Sequence, residues 1–108
     1  MIRVSVIYPA GEGKVFDLAY YTNEHMPLAG KLLKPIRYEI DDGLTGATPD
    51  SSPPYLAASY LYFETADDFH EAAKLHLEQL VADIPNYTNS EPVIQISKVV
   101  ASVSPKAE

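Results

Sequence analysis

Two histidines on two predicted helices carry the main chemical signal. His25 lies in Tyr20-Tyr21-Thr22-Asn23-Glu24-His25-Met26-Pro27-Leu28, in line with Leu18, Tyr21, Leu28 and Leu32 at helical spacing. His76 falls in line with Phe69, Ala73 and Leu80. Imidazole is the one side chain whose ordinary pKa lies near neutrality. Two imidazoles facing one interior point to general acid or base work on a small molecule. The competing reading is a pair of buried core histidines bonded to carbonyls. Asp83 follows His76 by seven residues, on or near the same helix face, where a carboxylate can orient a histidine or act as a base. It can equally be a solvated carboxylate at a helix end.

Eight tyrosines are many for this chain. Tyr8, Tyr21, Tyr60, Tyr62 and Tyr87 are candidates to line a pocket, each offering an aromatic wall and a hydroxyl. Asn86, before Tyr87, is a further candidate for substrate binding. Each of these residues could alternatively be ordinary packing or turn chemistry. His70 reads as a solvent residue. The chain has no dinucleotide fingerprint, P-loop, nucleophile elbow or HExxH motif, and no cofactor is expected. Its three histidines and scattered carboxylates make no spaced metal motif, so no metal site is assigned, although His25 and His76 together could hold an ion.

The elements that must position these residues follow from the patterning. Ile2, Val4, Val6 and Tyr8 alternate with Arg3, Ser5 and Ile7 in a first strand over 1–9. Residues 16–34 read as a helix with a kink or restart near Pro27, because proline lacks the N–H and clashes with the carbonyl of Asn23. Strands are expected over 36–42 and 55–64, joined by a loop rich in Gly, Pro, Ser and Asp. Thr65 and Asp68 read as a capping box that opens a helix running toward Asp83. Pro85 stops it, and a last strand is expected over 92–102. The order is β-α-β-β-α-β, an α+β ferredoxin-like domain over 1–103 with an antiparallel sheet and a flexible tail over 104–108. Neither face of strands three and four reads as a clean solvent face. A sheet that is apolar on both sides needs two covers. Helices supply one, and a second copy of the sheet is the economical other, so a homodimer is expected.

Composition bounds the rest. The 108 residues are enough for one domain with a real core. A formal net charge of -7 disfavours nucleic acid and anionic membrane as partners. No cysteine is present, and no apolar run is long enough to span a bilayer. The chain begins directly as a strand, without a basic segment leading into an apolar one, and a cytoplasmic location is expected.

Taken together, Met1-Ile-Arg-Val-Ser-Val-Ile-Tyr-Pro9, Tyr20-Tyr21 with His25-Met26-Pro27-Leu28, Tyr60-Leu61-Tyr62-Phe63-Glu64, and above all Asp83-Ile84-Pro85-Asn86-Tyr87-Thr88 with Pro92-Val93-Ile94-Gln95-Ile96-Ser97 resemble the ethyl tert-butyl ether degradation (EthD) family over nearly the whole chain. The resemblance implies a dimeric α/β barrel and a place beside cofactor-independent monooxygenases. It carries over His25, and after it His76, as pocket residues. Family labels lean toward oxidoreductase, while some relatives act as dehydratases or decarboxylases. The expected function is therefore a small cofactor-independent catabolic enzyme on an apolar or aromatic molecule, monooxygenase-like or dehydratase-like. The alternative is a non-catalytic protein that binds a hydrophobic metabolite or supports a partner oxygenase.

Overall fold

The computed structural model describes Met1–Ala107. Glu108, the last residue of the expected tail, lies outside the described residues. Strands β1 (Ile2–Pro9), β2 (Arg37–Asp42), β3 (Tyr55–Phe63) and β4 (Val93–Lys98) form one antiparallel sheet in the order β2-β3-β1-β4. The helical segments are α1 (Leu18–Tyr20), a π-helical turn (Tyr21–His25), α2 (Met26–Leu33) and α3 (Ala66–Asp83). The β-α-β-β-α-β order is as expected, and both helical arms lie on one sheet face. The last strand is shorter than expected. Its ladder with β1 ends at Ile2↔Lys98, followed by one further bond from the Val99 N–H to the Met1 carbonyl at 3.2 Å. Pro105–Ala107 forms a single 3-10 turn.

Register assigns the two faces. Val4 pairs with Leu61 and Ile96, and Val6 with Ser59 and Ile94, so these residues share the helix-covered face with Tyr8, Ala57 and Phe63. Arg3, Ser5 and Ile7, with Tyr60, Tyr62 and Ala58, take the other face. The core packs Val4, Leu61 and Phe63 against Met26, Ala29, Leu33, Phe69 and Leu80.

Pro27 marks the expected restart, with α2 beginning at Met26, and the helical arm continues through it. It sits in the first turn of α2, where its missing N–H is no loss. The preceding π turn widens the backbone, and the Met26 N–H reaches the Tyr21 carbonyl five residues back. The extra residue rotates the buried stripe. It runs through Tyr21 and His25, then shifts to Met26, Ala29 and Leu33, leaving Leu28 and Leu32 half-buried. Gly30 lets α2 approach β2, since a Cβ there would lie 3.1 Å from the Tyr38 ring. Lys34 ends α2 in the left-handed conformation (φ 53°), its N–H bonded to the Gly30 carbonyl. Thr65 caps α3 by accepting from the Asp68 N–H at 3.2 Å. The reciprocal bond from the Asp68 carboxylate is absent among the described residues. None of the helices among the described residues is long and apolar enough to cross a membrane.

Candidate functional site

The site forms where the two ends of the chain are tied together. The segment before α1 bridges to the segment after α3, with Phe16 paired to Thr88 and the Asp17 N–H bonded to the Tyr87 carbonyl at 2.7 Å. Thr88 Oγ1 donates to the Val15 carbonyl at 2.6 Å, and Asn89 spans the Val15 N–H and the Gly13 carbonyl. Asp17 caps α1 by accepting from the Tyr20 N–H at 3.0 Å. These ties bring Tyr87 against Tyr20, Tyr21 and His25.

His25 is buried and bonded on both ring nitrogens. Nδ1 lies 2.8 Å from Asp83 Oδ2, and Nε2 lies 3.4 Å from the Tyr87 hydroxyl. The Tyr87 and Tyr8 hydroxyls are 2.5 Å apart. Tyr21 stacks on the imidazole with ring centres 5.4 Å apart and donates to Ser59 Oγ at 2.7 Å. Phe16 closes the cluster, 5.0 Å from Tyr8 and from Tyr21 in edge-on contacts. Asp83 Oδ1 accepts from the Tyr20 hydroxyl at 2.8 Å and from Asn86 Nδ2 at 2.9 Å.

The electrostatics assign a direction to this chain of bonds. Burial alone would push the Asp83 carboxyl up. Its donors from Asn86, His25 and Tyr20 outweigh that, and it lies below the usual carboxylate value. An ionised carboxylate only accepts, so His25 Nδ1 carries the proton and a neutral ring offers Nε2 as acceptor to Tyr87. Burial pushes Tyr8, Tyr21 and Tyr87 well above an ordinary phenol. Tyr87 has a single O–H proton, which goes to His25 Nε2, so its oxygen accepts and Tyr8 is the donor between the two phenols. The chain therefore reads Tyr8 O–H to Tyr87, Tyr87 O–H to His25 Nε2, and His25 Nδ1–H to Asp83.

Tyr8, Tyr21 and Ser59 also line a small internal cavity of about 80 Å³ between the helices and the sheet, with Met26, Leu61 and Leu80 among its walls. Its outer end shares Val81, Ile84, Pro92 and Ile94 with an open groove of about 980 Å³ beside Tyr87. Asp17 and Glu91 line that groove, and no Lys or Arg does.

The residues read from the sequence divide sharply. His25, Asp83, Tyr8, Tyr21, Tyr87 and Asn86 come together. His25 is enclosed and adjoins Tyr21, as its stripe implies, but it stands behind the cavity wall and is not part of the wall itself. His76 does not join it. It is half-buried on α3, seven residues before Asp83 and so roughly 10 Å along the axis. No cluster of three or more His, Cys, Asp or Glu side chains that could hold a metal ion occurs among the described residues. Tyr60 and Tyr62 are on the opposite sheet face. The Tyr62 hydroxyl donates to Glu39 at 3.0 Å, and the Arg37 guanidinium lies over its ring. Sequence reasoning missed Tyr20, Phe16 and Ser59. Ser59 had one legible signal, a polar residue in an otherwise apolar strand, and it is fully buried.

Comparison with known proteins agrees with the geometry. The family model of the EthD domain matches residues 15–91, which include His25, Asp83, Asn86 and Tyr87. An EthD-like protein of Ralstonia eutropha JMP134 is similar at 37% identity and a TM-score of 0.90, over 96% of each chain. An EthD family protein of Bacillus halodurans C-125 shares the fold at 14% identity and a TM-score of 0.65, over 93% of this chain and 99% of that one. HapK from Hahella chejuensis shares it at 12% identity and a TM-score of 0.55, over 94% and 97%. The curated proteins give no match. With the domain matched over most of its length and a relative of the same type alike from end to end, this chain belongs to the EthD family.

Proposed function

We propose that this protein is a cofactor-independent enzyme that removes a proton from an uncharged apolar or aromatic small molecule. The observation that carries this reading is the bonded series Tyr8–Tyr87–His25–Asp83, which joins a phenol whose ring lines the cavity to a carboxylate. A proton taken up at the Tyr8 oxygen passes as a hand-off: Tyr8 to Tyr87, Tyr87 to His25 Nε2. The phenols need never ionise. His25 is the base that keeps the proton, and Asp83 stabilises the imidazolium. The cavity wall is apolar, the groove beside it carries two carboxylates and no cation, and the chain is acidic overall. These features favour neutral ligands over carboxylates. In an oxygenase the resulting carbanion reacts with dioxygen, and in a dehydratase it expels a hydroxyl; the oxidoreductase version follows the family resemblance. The family takes its name from an uncharged compound, ethyl tert-butyl ether, and the apolar cavity wall likewise favours uncharged ligands.

The enzyme is proposed to act in the cytoplasm as a homodimer through the sheet face opposite the helices. Tyr60, Tyr62, Ala58 and Ile7 lie on that face, and Arg3 Nε is buried there without a hydrogen-bond partner. A second reading has one observation in its favour. Both His25 nitrogens are already engaged, and neither opens into the cavity. On that reading the chain holds an apolar metabolite, or supports a partner oxygenase, without chemistry of its own.

Phenylacetone, neutral and enolisable, separates the two. The enzyme reading expects protein-accelerated exchange of its acidic C–H protons in deuterated water, followed by NMR, with a loss of roughly 10²–10⁴-fold in His25→Ala. Binding without accelerated exchange would favour the accessory reading. Exchange that is unchanged in His25→Ala would overturn the role of His25.

A further inference from the structure

We propose that Tyr20 and Asn86 are positioning residues that assign the two oxygens of Asp83, and so hold Oδ2 on His25 Nδ1–H with Nε2 turned to Tyr87. The inference rests on the proton chain described above, but its test needs neither substrate nor turnover.

A carboxylate is symmetric. Nothing in Asp83 itself decides which oxygen faces the imidazole or holds the group in one rotation. Two donors from different elements decide it. Tyr20, at the end of α1, places its hydroxyl 2.8 Å from Oδ1, and Asn86, in the 3-10 turn after α3, places Nδ2 2.9 Å from the same atom. Both can only donate to a carboxylate. With Oδ1 doubly occupied, Oδ2 is left for His25 Nδ1 at 2.8 Å. The Tyr20 ring also stacks near-parallel to Tyr87, with centres 6.1 Å apart, so the residue that orients the carboxylate also packs against the next member of the chain. Neither Tyr20 nor Asn86 touches His25 through a hydrogen bond. Their influence runs through Asp83.

The consequence is specific. In Asp83→Asn the side chain has one acceptor and one donor. Two donors converge on the Oδ1 position, so the amide oxygen must go there. The amide NH₂ then faces His25 Nδ1, which must accept. The imidazole proton moves to Nε2 and points at Tyr87, and the series of donors reverses toward Tyr8. Without Tyr20 and Asn86 the new amide is free to turn its oxygen to His25, and the Tyr87 hydroxyl then favours the original tautomer.

The test is long-range ¹H–¹⁵N correlation NMR of His25 in ¹⁵N-labelled protein at about pH 8, above the ordinary imidazole pKa of ~6.5. The wild type should show a bare Nε2. Asp83→Asn should show a bare Nδ1, and the triple variant with Tyr20→Phe and Asn86→Ala should regain a substantial Nδ1–H population. A single Asp83→Asn variant that keeps the wild-type tautomer would overturn the proposal, as would a triple variant flipped as fully as the single. If Asp83→Asn does not fold, Tyr20→Phe/Asn86→Ala in the native Asp83 background serves. There the carboxylate is no longer held in one rotation, so the Nδ1–H proton should exchange faster with water while the tautomer stays the same; an unchanged exchange rate refutes the assignment. Failure of phenylacetone exchange with these tautomers intact would remove the catalytic reading and leave the positioning roles standing.

Discussion

His25 and Asp83 are 58 residues apart in the chain and 2.8 Å apart in the fold. Their contact joins the π turn of the first helical arm to the last residue of α3. It places a carboxylate behind a buried imidazole whose other nitrogen meets a phenol. Exposure is low on both sides, with 8% of the His25 side chain and 16% of the Asp83 side chain reachable by solvent. Removing either partner of a contact so enclosed leaves an unpaired polar group inside the protein.

Acid should weaken this contact selectively. The folded pKa of Asp83 lies below the usual value, so its contribution to stability is complete above the unfolded carboxylate pKa of ~3.9 and is lost as pH falls through the folded value. The difference in thermal midpoint between wild type and Asp83→Asn should be largest near neutrality and shrink in the acid range. A difference independent of pH down to acid unfolding would show that the carboxylate charge is not what the pair contributes.

Alkali should act on the tyrosine cluster in the opposite sense. Tyr8, Tyr21 and Tyr87 are held above the ordinary phenol value by burial. Groups with raised folded pKa values stabilise the protein below the unfolded pKa of ~10 and lose that contribution as pH rises toward the folded values. Phenolate absorbance should therefore rise in two stages: first from the more accessible of the eight tyrosines, then from these three together with loss of circular dichroism. A single smooth titration with the fold intact would contradict the burial of the cluster.

Tyr21 and Ser59 form a buried side-chain pair at 2.7 Å. Removing either hydroxyl leaves the other unpartnered, so Tyr21→Phe and Ser59→Ala should each cost about 1–3 kcal/mol. The double variant should cost less than the sum, because neither group is then left unsatisfied. Denaturant unfolding of the four proteins gives the coupling, and simple additivity would mean the hydroxyls are independently solvated.

The proposed homodimer makes its own demand on the outer sheet face. Ile7 lies in a row with Asp41, Ala58 and Val93. An interface there should bury at least about 1,000 Å². Light scattering should find a dimer at micromolar concentration, and Ile7→Glu should shift it to monomer while the far-ultraviolet spectrum stays unchanged. A monomeric wild type would remove this part of the reading.

The sequence by itself determined the element order and brought forward several of the residues that cluster at His25. Period-two alternation in Ile2–Tyr8, the Thr65 cap and the stop at Pro85 are local signals, and local signals survive without knowledge of the rest of the chain. His25 and Tyr21 were legible because each lies on an apolar helical stripe, and Tyr87 because tyrosines are many for a chain of this length. What only the tertiary structure decided was partnership. The sequence paired His25 with His76 because both lie on apolar stripes, but a stripe gives a direction around a helix axis and not a position along it. Tyr60 and Tyr62 matched the composition of a pocket wall, yet strand pairing put them on the face away from it. The π turn at Tyr21–His25 has no single-residue signature; it becomes visible when the buried set shifts from Leu28 and Leu32 to Met26, Ala29 and Leu33. Tyr20 became part of the site only when α1 was tied to the segment after α3 by bonds between residues more than 70 positions apart, and closures of that length leave no trace in local patterning.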